Sequence, residues 1–314
     1  MADPRRARQL AYPLAVSDEE EIRHAYDGSS PAFRALEAWG WGEFVNLGFY
    51  PWLALPQLAF GMAPFQRRLV ERALDLLAPA PAERVLDAGC GRGGTTARIA
   101  ARGASALGLD LLPENVAEAR KRFGGAPGPR FDVADVTRLP ARAGGADLAP
   151  GSFDAVLCLE AAFHFGAAGR REFLAEAWRV LRPGGRLVLV DFVWRDADPA
   201  RIASLDPDRH VRGTWRFDEF EPLERYRANA RSLGFAEAAL RDWTRPVTDT
   251  FQHVAAALAR AGTIPPVRLA LGWLRPGLRK IRPDEWRFLV ELMRAHDRVR
   301  KASRYVAFRF EKPA

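Results

Sequence analysis

Val85-Leu86-Asp87-Ala88-Gly89-Cys90-Gly91-Arg92-Gly93-Gly94 sets a short apolar run against an acidic residue and then a turn rich in glycine. Such a run predicts a buried strand, here Arg84–Asp87, and the turn predicts the opening of a helix, here Thr95–Ala101. Glycines let the backbone turn sharply and approach a ligand, while the first turn of the helix offers N–H groups with no partner of their own. Taken alone, the stretch fits a plain strand-to-helix turn or a nucleotide site. Its spacing differs from the G-x-G-x-x-G of dinucleotide-binding folds, in which Asp87 has no counterpart.

Outward from this turn the same rhythm repeats. Short apolar runs at Ala104–Asp110, Arg130–Val133, Phe153–Leu159 and Arg186–Phe192 alternate with helical patterns at Pro113–Phe123 and Gly169–Leu181. Strands separated by helices predict βα units and a parallel sheet. A helix over Leu223–Leu233 leads to a strand at Ala236–Trp243, and Arg304–Phe310 alternates as a final strand. The expected fold is therefore α/β, a sheet of about seven mostly parallel strands. Before the core, a capping box at Ser17 and Glu20 predicts a helix over Asp18–Asp27, and Phe65 to Leu77 carries apolar residues at helical spacing. Two stretches stand outside the alternation, Arg195 to Pro222 and Thr248 to Ser303, the second with helices near Phe251–Ala261 and Asp284–Lys301. Insertions after late strands of such a sheet lie over its carboxyl ends, where ligands bind.

Composition narrows the function. The chain has 314 residues, 48% of them apolar and 27% charged, which suits a folded globular protein. Its 47 basic and 39 acidic side chains leave a net charge of +8, carried almost wholly by arginine. A basic excess raises nucleic acid as a partner, but the arginines are interleaved with Asp and Glu and form no long run, so the reading is against it. Cys90 and Cys158 are too few for a disulfide scaffold and have no metal-ligand spacing, which predicts a reduced, cytoplasmic setting and no metal. No apolar stretch reaches the length of a membrane span, since Pro51 to Phe65 is interrupted by Pro51, Pro56 and Pro64.

The wording D-x-G-x-G-x-G over Asp87 to Gly93 resembles the first motif of the class I S-adenosylmethionine-dependent methyltransferases. Four further segments match in order. Asp110 closes the second strand, 23 residues after Asp87; Asp135-Val136 follows the third; Ser152 to Glu160 matches the fourth-strand motif; and Leu181-Arg182-Pro183-Gly184-Gly185-Arg186-Leu187 matches the turn into the fifth. The resemblance covers roughly residues 80 to 195. It implies a Rossmann-like core with an antiparallel last strand and a helical cap, using S-adenosylmethionine and releasing S-adenosylhomocysteine. It also implies roles. Asp87, Gly89, Gly91 and Gly93 would hold the methionine end, Asp110 the ribose hydroxyls, and Asp135 and Val136 the adenine, with Asp132 a nearby competitor for Asp135. Leu111 and Leu159 complete the implied cofactor set.

Where the donor methyl should face the acceptor, at the end of the fourth strand, the chain reads Glu160-Ala161-Ala162-Phe163-His164-Phe165. Methyl transfer to an O–H or C–H acceptor releases a proton, so Glu160 and His164 are both candidate bases, four residues apart and on one face if a helical turn begins there. The segment with Trp39, Trp41, Phe49 and Tyr50, together with Tyr26-Asp27, resembles the amino-terminal lid of relatives acting on lipophilic small molecules. That likeness assigns Tyr26 to the cofactor and the other four aromatics to the acceptor, and His253 in the second insertion could reach the same pocket. The expected division is a lid over 1–70, a cofactor-binding core over 71–194 completed by 223–247 and 303–312, and cap insertions at 195–222 and 248–302. The expected acceptor is small and largely apolar, with O-, C- and N-methylation all open. An RNA methyltransferase and a non-catalytic scaffold are the alternatives. RNA binding would weaken steeply with salt, and a scaffold would not bind the cofactor. An aromatic cap with exposed apolar surface would also suit a homodimer contact.

Overall fold

The computed structural model describes residues 30–51, 61–195, 198 and 201–314. The expected helix over Asp18–Asp27 and the lid residue Tyr26 lie outside the described residues. In chain order, α1 (Pro31–Ala38) and α2 (Ala63–Leu77) precede the alternating region. There β1 (Arg84–Ala88), α3 (Gly94–Ala101), β2 (Ser105–Asp110), α4 (Pro113–Phe123) and β3 (Arg130–Val133) form the first half. A small hairpin, β4 (Arg142–Ala143) and β5 (Ala146–Asp147), leads to β6 (Phe153–Leu159), α5 (Gly166–Val180) and β7 (Leu181–Trp194). After these come α6 (Arg201–Leu205), α7 (His210–Trp215), β8 (Glu221–Pro222), α8 (Leu223–Leu233) and β9 (Ala236–Asp242). The chain ends with α9 (Thr250–Gly262), α10 (Pro265–Leu274), α11 (Pro283–Ala302) and β10 (Ser303–Glu311).

The main sheet runs β3-β2-β1-β6-β7-β10-β9. The pairs among β3, β2, β1, β6 and β7 are parallel, whereas β10 is antiparallel to both β7 and β9 and lies between them. From β1 the chain winds first toward β2 and β3, then returns to the other side for β6 and β7. The resulting crevice at the carboxyl ends of β1 and β6 is where such sheets bind ligands. β6 is apolar and buried along nearly its whole length because helices cover both faces of the sheet. On one face α2 presents Phe65, Leu69, Val70, Ala73, Leu74 and Leu77 to Val85, Val188 and Val190. On the other, Phe173, Leu174 and Ala177 of α5 and Tyr226 of α8 pack on Leu86, Val156 and Leu189. A third cluster joins α1, α7, α9 and α11 to Phe163 and Trp194 at the ends of β6 and β7, and this forms the cap.

Besides the unpredicted hairpin β4–β5 and the short helices α6 and α7, the structure departs from the sequence reading in four places. The sheet has an eighth strand, β8, whose two-residue pairing with β7 is too short to leave a hydrophobic pattern. β7 is twice as long as the predicted run, since Leu181 already pairs with Phe153, the ladder is broken by a bulge over Arg182-Pro183-Gly184-Gly185, and pairing resumes at Arg186 and continues to Trp194. α10 had no predicted counterpart because it has no buried apolar stripe: Gly272 is its only buried residue, and Val267, Leu269, Trp273 and Leu274 are exposed. Finally, α2 runs as one buried helix across residue 70, so the expected lid boundary cuts an element that belongs with the sheet.

Candidate active site

Two cavities meet at the carboxyl ends of the parallel strands. The first is a cleft of about 910 Å³ bounded by Gly89, Cys90, Gly91, Gly94 and Thr95 of the glycine turn and by Asp110, Leu111 and Leu112 after β2. Ala134, Asp135 and Val136 after β3, and Leu159, Glu160, Ala161, His164 and Phe165 after β6, complete it, while Glu43 to Asn46 close it from the lid. Gly89 and Gly91 have φ of +77° and +52°, so the turn needs residues without a Cβ exactly where it faces the cleft's interior.

Asp110 is buried and accepts from Gly91 N at 2.8 Å, Leu112 N at 3.0 Å and Asn115 Nδ2 at 3.1 Å. Burial pushes its carboxyl upward, and these donors pull it back down. Asp135 is exposed at the rim and accepts from Thr137 N at 2.8 Å and Thr137 Oγ1 at 2.7 Å. The competitor Asp132 is outside the cleft lining and is taken up by Arg120 and Gly144 N.

Two residues of the glycine motif do not face the cleft. Asp87 is 1% exposed and accepts a 2.6 Å hydrogen bond from Thr96 Oγ1 on α3. Burial, with Asp110 nearby, pushes its carboxyl up to about 7. It braces the strand to the helix and is not among the residues that line the cleft. Gly93 is likewise turned inward. A Cβ there would lie 2.7 Å from Ala119 Cβ and 2.9 Å from Phe131, so Gly93 permits close packing of α3 against α4 and β3.

The second cavity, about 650 Å³, is walled by Phe163, Phe192, Trp215, Phe217 and Phe220 with Trp41 and Leu47 from the lid. Its rings pack closely: Phe217 stacks on Phe220 at 4.5 Å and Phe220 on Phe192 at 5.2 Å. His296, Arg300, Thr248 and Ser303 add its few polar groups. Trp41 Nε1 is buried and has no hydrogen-bond partner among the described residues. His296 Nε2 accepts from Trp215 Nε1 at 2.9 Å, and burial holds the imidazole near pKa 4, hence neutral.

Glu160 lines both cavities. It adopts φ of +52°, unusual for a side-chain-bearing residue, directly after β6. Its carboxylate accepts from Tyr305 Oη at 2.6 Å and from Leu47 N at 3.1 Å, tying the last strand and the lid to one group. Burial pushes it up to about 7 against the opposing pull of these two donors. His164 lines the cofactor-side cleft, and its Nδ1 lies 2.9 Å from the Arg216 carbonyl. A carbonyl only accepts, so Nδ1 carries the proton. Burial holds this imidazole near pKa 4. The expected shared helical face is replaced by a single 3-10 turn, Ala162–His164, which begins after the left-handed Glu160.

The remaining expected acceptor residues separate. Trp41 lines the aromatic cavity, whereas Trp39 and Tyr50 line a neighbouring apolar one. Phe49 packs edge-on against Trp243 and under Arg72, away from all three cavities. His253 is exposed, with Nδ1 against the Asp249 carbonyl, and faces a polar surface recess on the far side of α9. Sequence reading missed Tyr305, Leu47 and Gln66, whose Nε2 holds the lid by donating to Phe44 O at 2.9 Å and Asn46 O at 2.8 Å. No local pattern marks these residues, because each meets its partner across a long sequence separation.

A nucleotide-cofactor-binding α/β enzyme is the class this sheet and its glycine-lined crevice define. A family described as a methyltransferase domain matches residues 86–189. The chain is 30% identical over 234 residues to the 27-O-demethylrifamycin SV methyltransferase of Amycolatopsis mediterranei, covering 72% of this chain and 78% of that one. It is 26% identical over 278 residues to the 2-methyl-6-phytyl-1,4-hydroquinone methyltransferase of Synechocystis, covering 81% and 79% respectively. The fold matches the geranyl diphosphate C-methyltransferase of Streptomyces coelicolor with a TM-score of 0.66 at 16% identity, over 96% of this chain and all of that one (100%). The chain belongs to the S-adenosylmethionine-dependent methyltransferases, and S-adenosylmethionine is its methyl donor. Among the described residues no single helix is long and apolar enough to cross a membrane.

Proposed function

We propose that the protein methylates a small, largely apolar acceptor at oxygen or carbon, with Glu160 taking the released proton. The observation that carries this reading is that Glu160 lines both the glycine-walled cleft and the aromatic cavity. When bound, S-adenosylmethionine supplies an electrophilic sulfonium methyl and departs as S-adenosylhomocysteine. The cleft suits it: Gly89 and Gly91 leave room for close approach, Asp110 offers carboxylate oxygens to ribose hydroxyls, and Asp135, Val136, Leu111 and Leu159 flank the place for the adenine. Asp87 and Gly93 support the turn from behind.

On the other side, the aromatic walls exclude water and hold an apolar acceptor against Glu160. The buried Trp41 Nε1 is a donor for an acceptor oxygen. A carboxylate with pKa about 7 is half ionised near neutrality and well matched to receive a proton. The Tyr305 hydroxyl and the Leu47 N–H fix its orientation. His164, held neutral with Nδ1 committed to the Arg216 carbonyl, shapes the cleft wall beside it. Phenols and hydroquinones fit these demands, and one of the relatives is named for a phytyl hydroquinone. We assign residues 30–51 to a lid, the sheet with its helices to the cofactor-binding core, and 195–222 and 248–302 to the cap.

Calorimetric titration with S-adenosylmethionine and S-adenosylhomocysteine tests the donor half. Incubation with lipophilic phenols, quinols and prenylated compounds, followed by mass spectrometry for the gain of one methyl, tests the acceptor half. Cofactor binding with no methylated phenol or quinol would remove the acceptor assignment.

A further inference from the structure

A third cavity lies between α1, α9 and α11 and touches the aromatic one at Trp215, which lines both. Its wall is Ala32, Ala35 and Leu36 of α1, Val254, Ala255, Leu258 and Ala259 of α9, Trp286, Leu289 and Met293 of α11, with Trp39, Tyr50, Met62, Trp215 and Phe251, and no charged side chain is among them. A recess lined by apolar and aromatic side chains has the make-up of a small-molecule site. Trp215 forms the partition. It is the last residue of α7, whose flanking residues Arg209 and Arg216 are both left-handed with φ of +53° and +52°. Its ring packs on Phe33 and Trp41 with centroids 5.5 and 6.1 Å away, and its N–H is held by His296.

We infer that this third cavity receives a hydrocarbon tail of the acceptor, whose reacting ring sits in the aromatic cavity beside Glu160. The inference rests on the acceptor reading above and narrows it to amphipathic molecules with a chain longer than the first cavity can hold. Trp286 Nε1, buried and without a partner among the described residues, leaves room for one ether or carbonyl oxygen in that chain.

The test is the affinity of n-alkylphenols of increasing length, measured by calorimetry on the full chain saturated with S-adenosylhomocysteine. Affinity should rise about fourfold per methylene as the chain fills the cavity. Ala255→Trp or Leu258→Trp, each placing an indole in the third cavity, should erase that rise and leave phenol and S-adenosylhomocysteine binding unchanged. Phenol binding with no dependence on chain length overturns the tail site and spares the acceptor reading. A rise that survives in both filled variants also overturns it, because the chain then lies elsewhere. If no phenol of any length binds while S-adenosylhomocysteine does, the acceptor reading itself falls, and the tail site with it.

A separate observation concerns the outer surface. Ile264, Val267, Leu269, Trp273 and Leu274, on and beside α10, are between 36% and 72% exposed, and apart from Val133 they are the exposed large apolar residues among those described. The sequence from Thr250 to Pro283 holds Arg260, Arg268, Arg275, Arg279, Lys280 and Arg282 and not one acidic residue. Arg282 engages Asp284 and Glu285, Arg279 lies over the Trp273 ring at 4.8 Å, and Arg279 and Lys280 are exposed just past α10. α9 and α10 meet at a bend of 117°, so α10 runs across the surface. Exposed apolar side chains beside cations match the interface of an anionic lipid bilayer.

We propose that α10 docks the protein on an anionic membrane surface. The full chain should float with vesicles of phosphatidylcholine and phosphatidylglycerol and not with phosphatidylcholine alone. The double variants Leu269→Asp/Trp273→Asp and Arg279→Glu/Lys280→Glu should each lose on the order of tenfold in that binding with S-adenosylhomocysteine affinity intact. Failure to float with anionic vesicles at low salt overturns the proposal. So does equal flotation of both variants, or a dimer in sedimentation that Leu269→Asp/Trp273→Asp dissolves without any lipid binding.

Discussion

Tyr305 Oη donates a 2.6 Å hydrogen bond to Glu160 Oε1, joining the last strand to the end of β6 across 145 residues of sequence. That bond lowers the carboxyl's pKa while burial raises it, and the balance stands at about 7. A base must be ionised to act, so turnover should rise with pH through this value. Glu160→Gln should lower turnover by about 100-fold or more and remove the rising limb, with cofactor affinity unchanged. Tyr305→Phe keeps the base but removes a stabiliser of its charge, so its limb should move to higher pH. Steady-state pH profiles of the three proteins decide the matter, and an unshifted limb in Tyr305→Phe would show that Glu160 is not the titrating group.

Asp110 is held in place by Gly91 N, Leu112 N and Asn115 Nδ2, with its carboxylate at the cleft wall. Asp110→Ala removes oxygens positioned for the ribose hydroxyls and should weaken S-adenosylhomocysteine binding about tenfold to a hundredfold. Calorimetry measures it directly, and equal affinity would end the ribose assignment.

Thr96 and Asp87 form a buried pair behind the turn. Thr96→Val leaves a carboxyl unsatisfied in the interior, which should cost about 1–3 kcal/mol of stability in denaturant unfolding. Because neither side chain faces the cleft, cofactor affinity should change far less than in Asp110→Ala.

Trp41 Nε1 has no partner among the described residues and sits in the wall of the aromatic cavity. Trp41→Phe keeps most of the apolar surface and removes the donor. Its expected effect is a rise in acceptor KM with little change in cofactor affinity. A KM unchanged for an oxygen-bearing acceptor would mean that the N–H serves no ligand.

Asp191 accepts from Tyr226 Oη at 2.6 Å, and burial lifts its carboxyl to about 7. Its folded pKa is thus above the unfolded value near 4. Between about pH 4 and pH 7 the folded state binds a proton that the unfolded state does not, so this group's contribution to stability falls as pH rises through that window. Asp191→Asn lacks the penalty and should gain on the wild type across the same window. Thermal midpoints of both proteins from about pH 5 to about pH 8, roughly the span over which a buried carboxyl titrates, should converge at the acid end and part at the alkaline end.

Strand and helix identity in the core was legible from Arg84 to Val190 because each element buries its own apolar run, and local periodicity records burial. The glycine turn was legible for a similar reason: Gly89 and Gly91 answer to backbone angles set within a few residues. Which members of that motif face a ligand was not legible. Asp87 and Asp110 lie at the carboxyl ends of neighbouring strands with the same side chain, yet one bonds Thr96 behind the turn and the other lines the cleft, a difference set by packing that the local pattern does not record. Trp41, Phe49 and Tyr50 read alike as lid aromatics, and their separation into different packing sites follows from how the lid folds back on α2 and α9.

The sequence by itself determined the donor and the sheet, because both depend on contacts within one βα unit or between adjacent ones. Only the tertiary structure decided the rest of the site. Glu160 becomes a shared wall of two cavities through Tyr305 and Leu47, and Trp215 a partition through His296. These pairings are long in sequence, so they exist only once burial of the cap has brought the separate elements together.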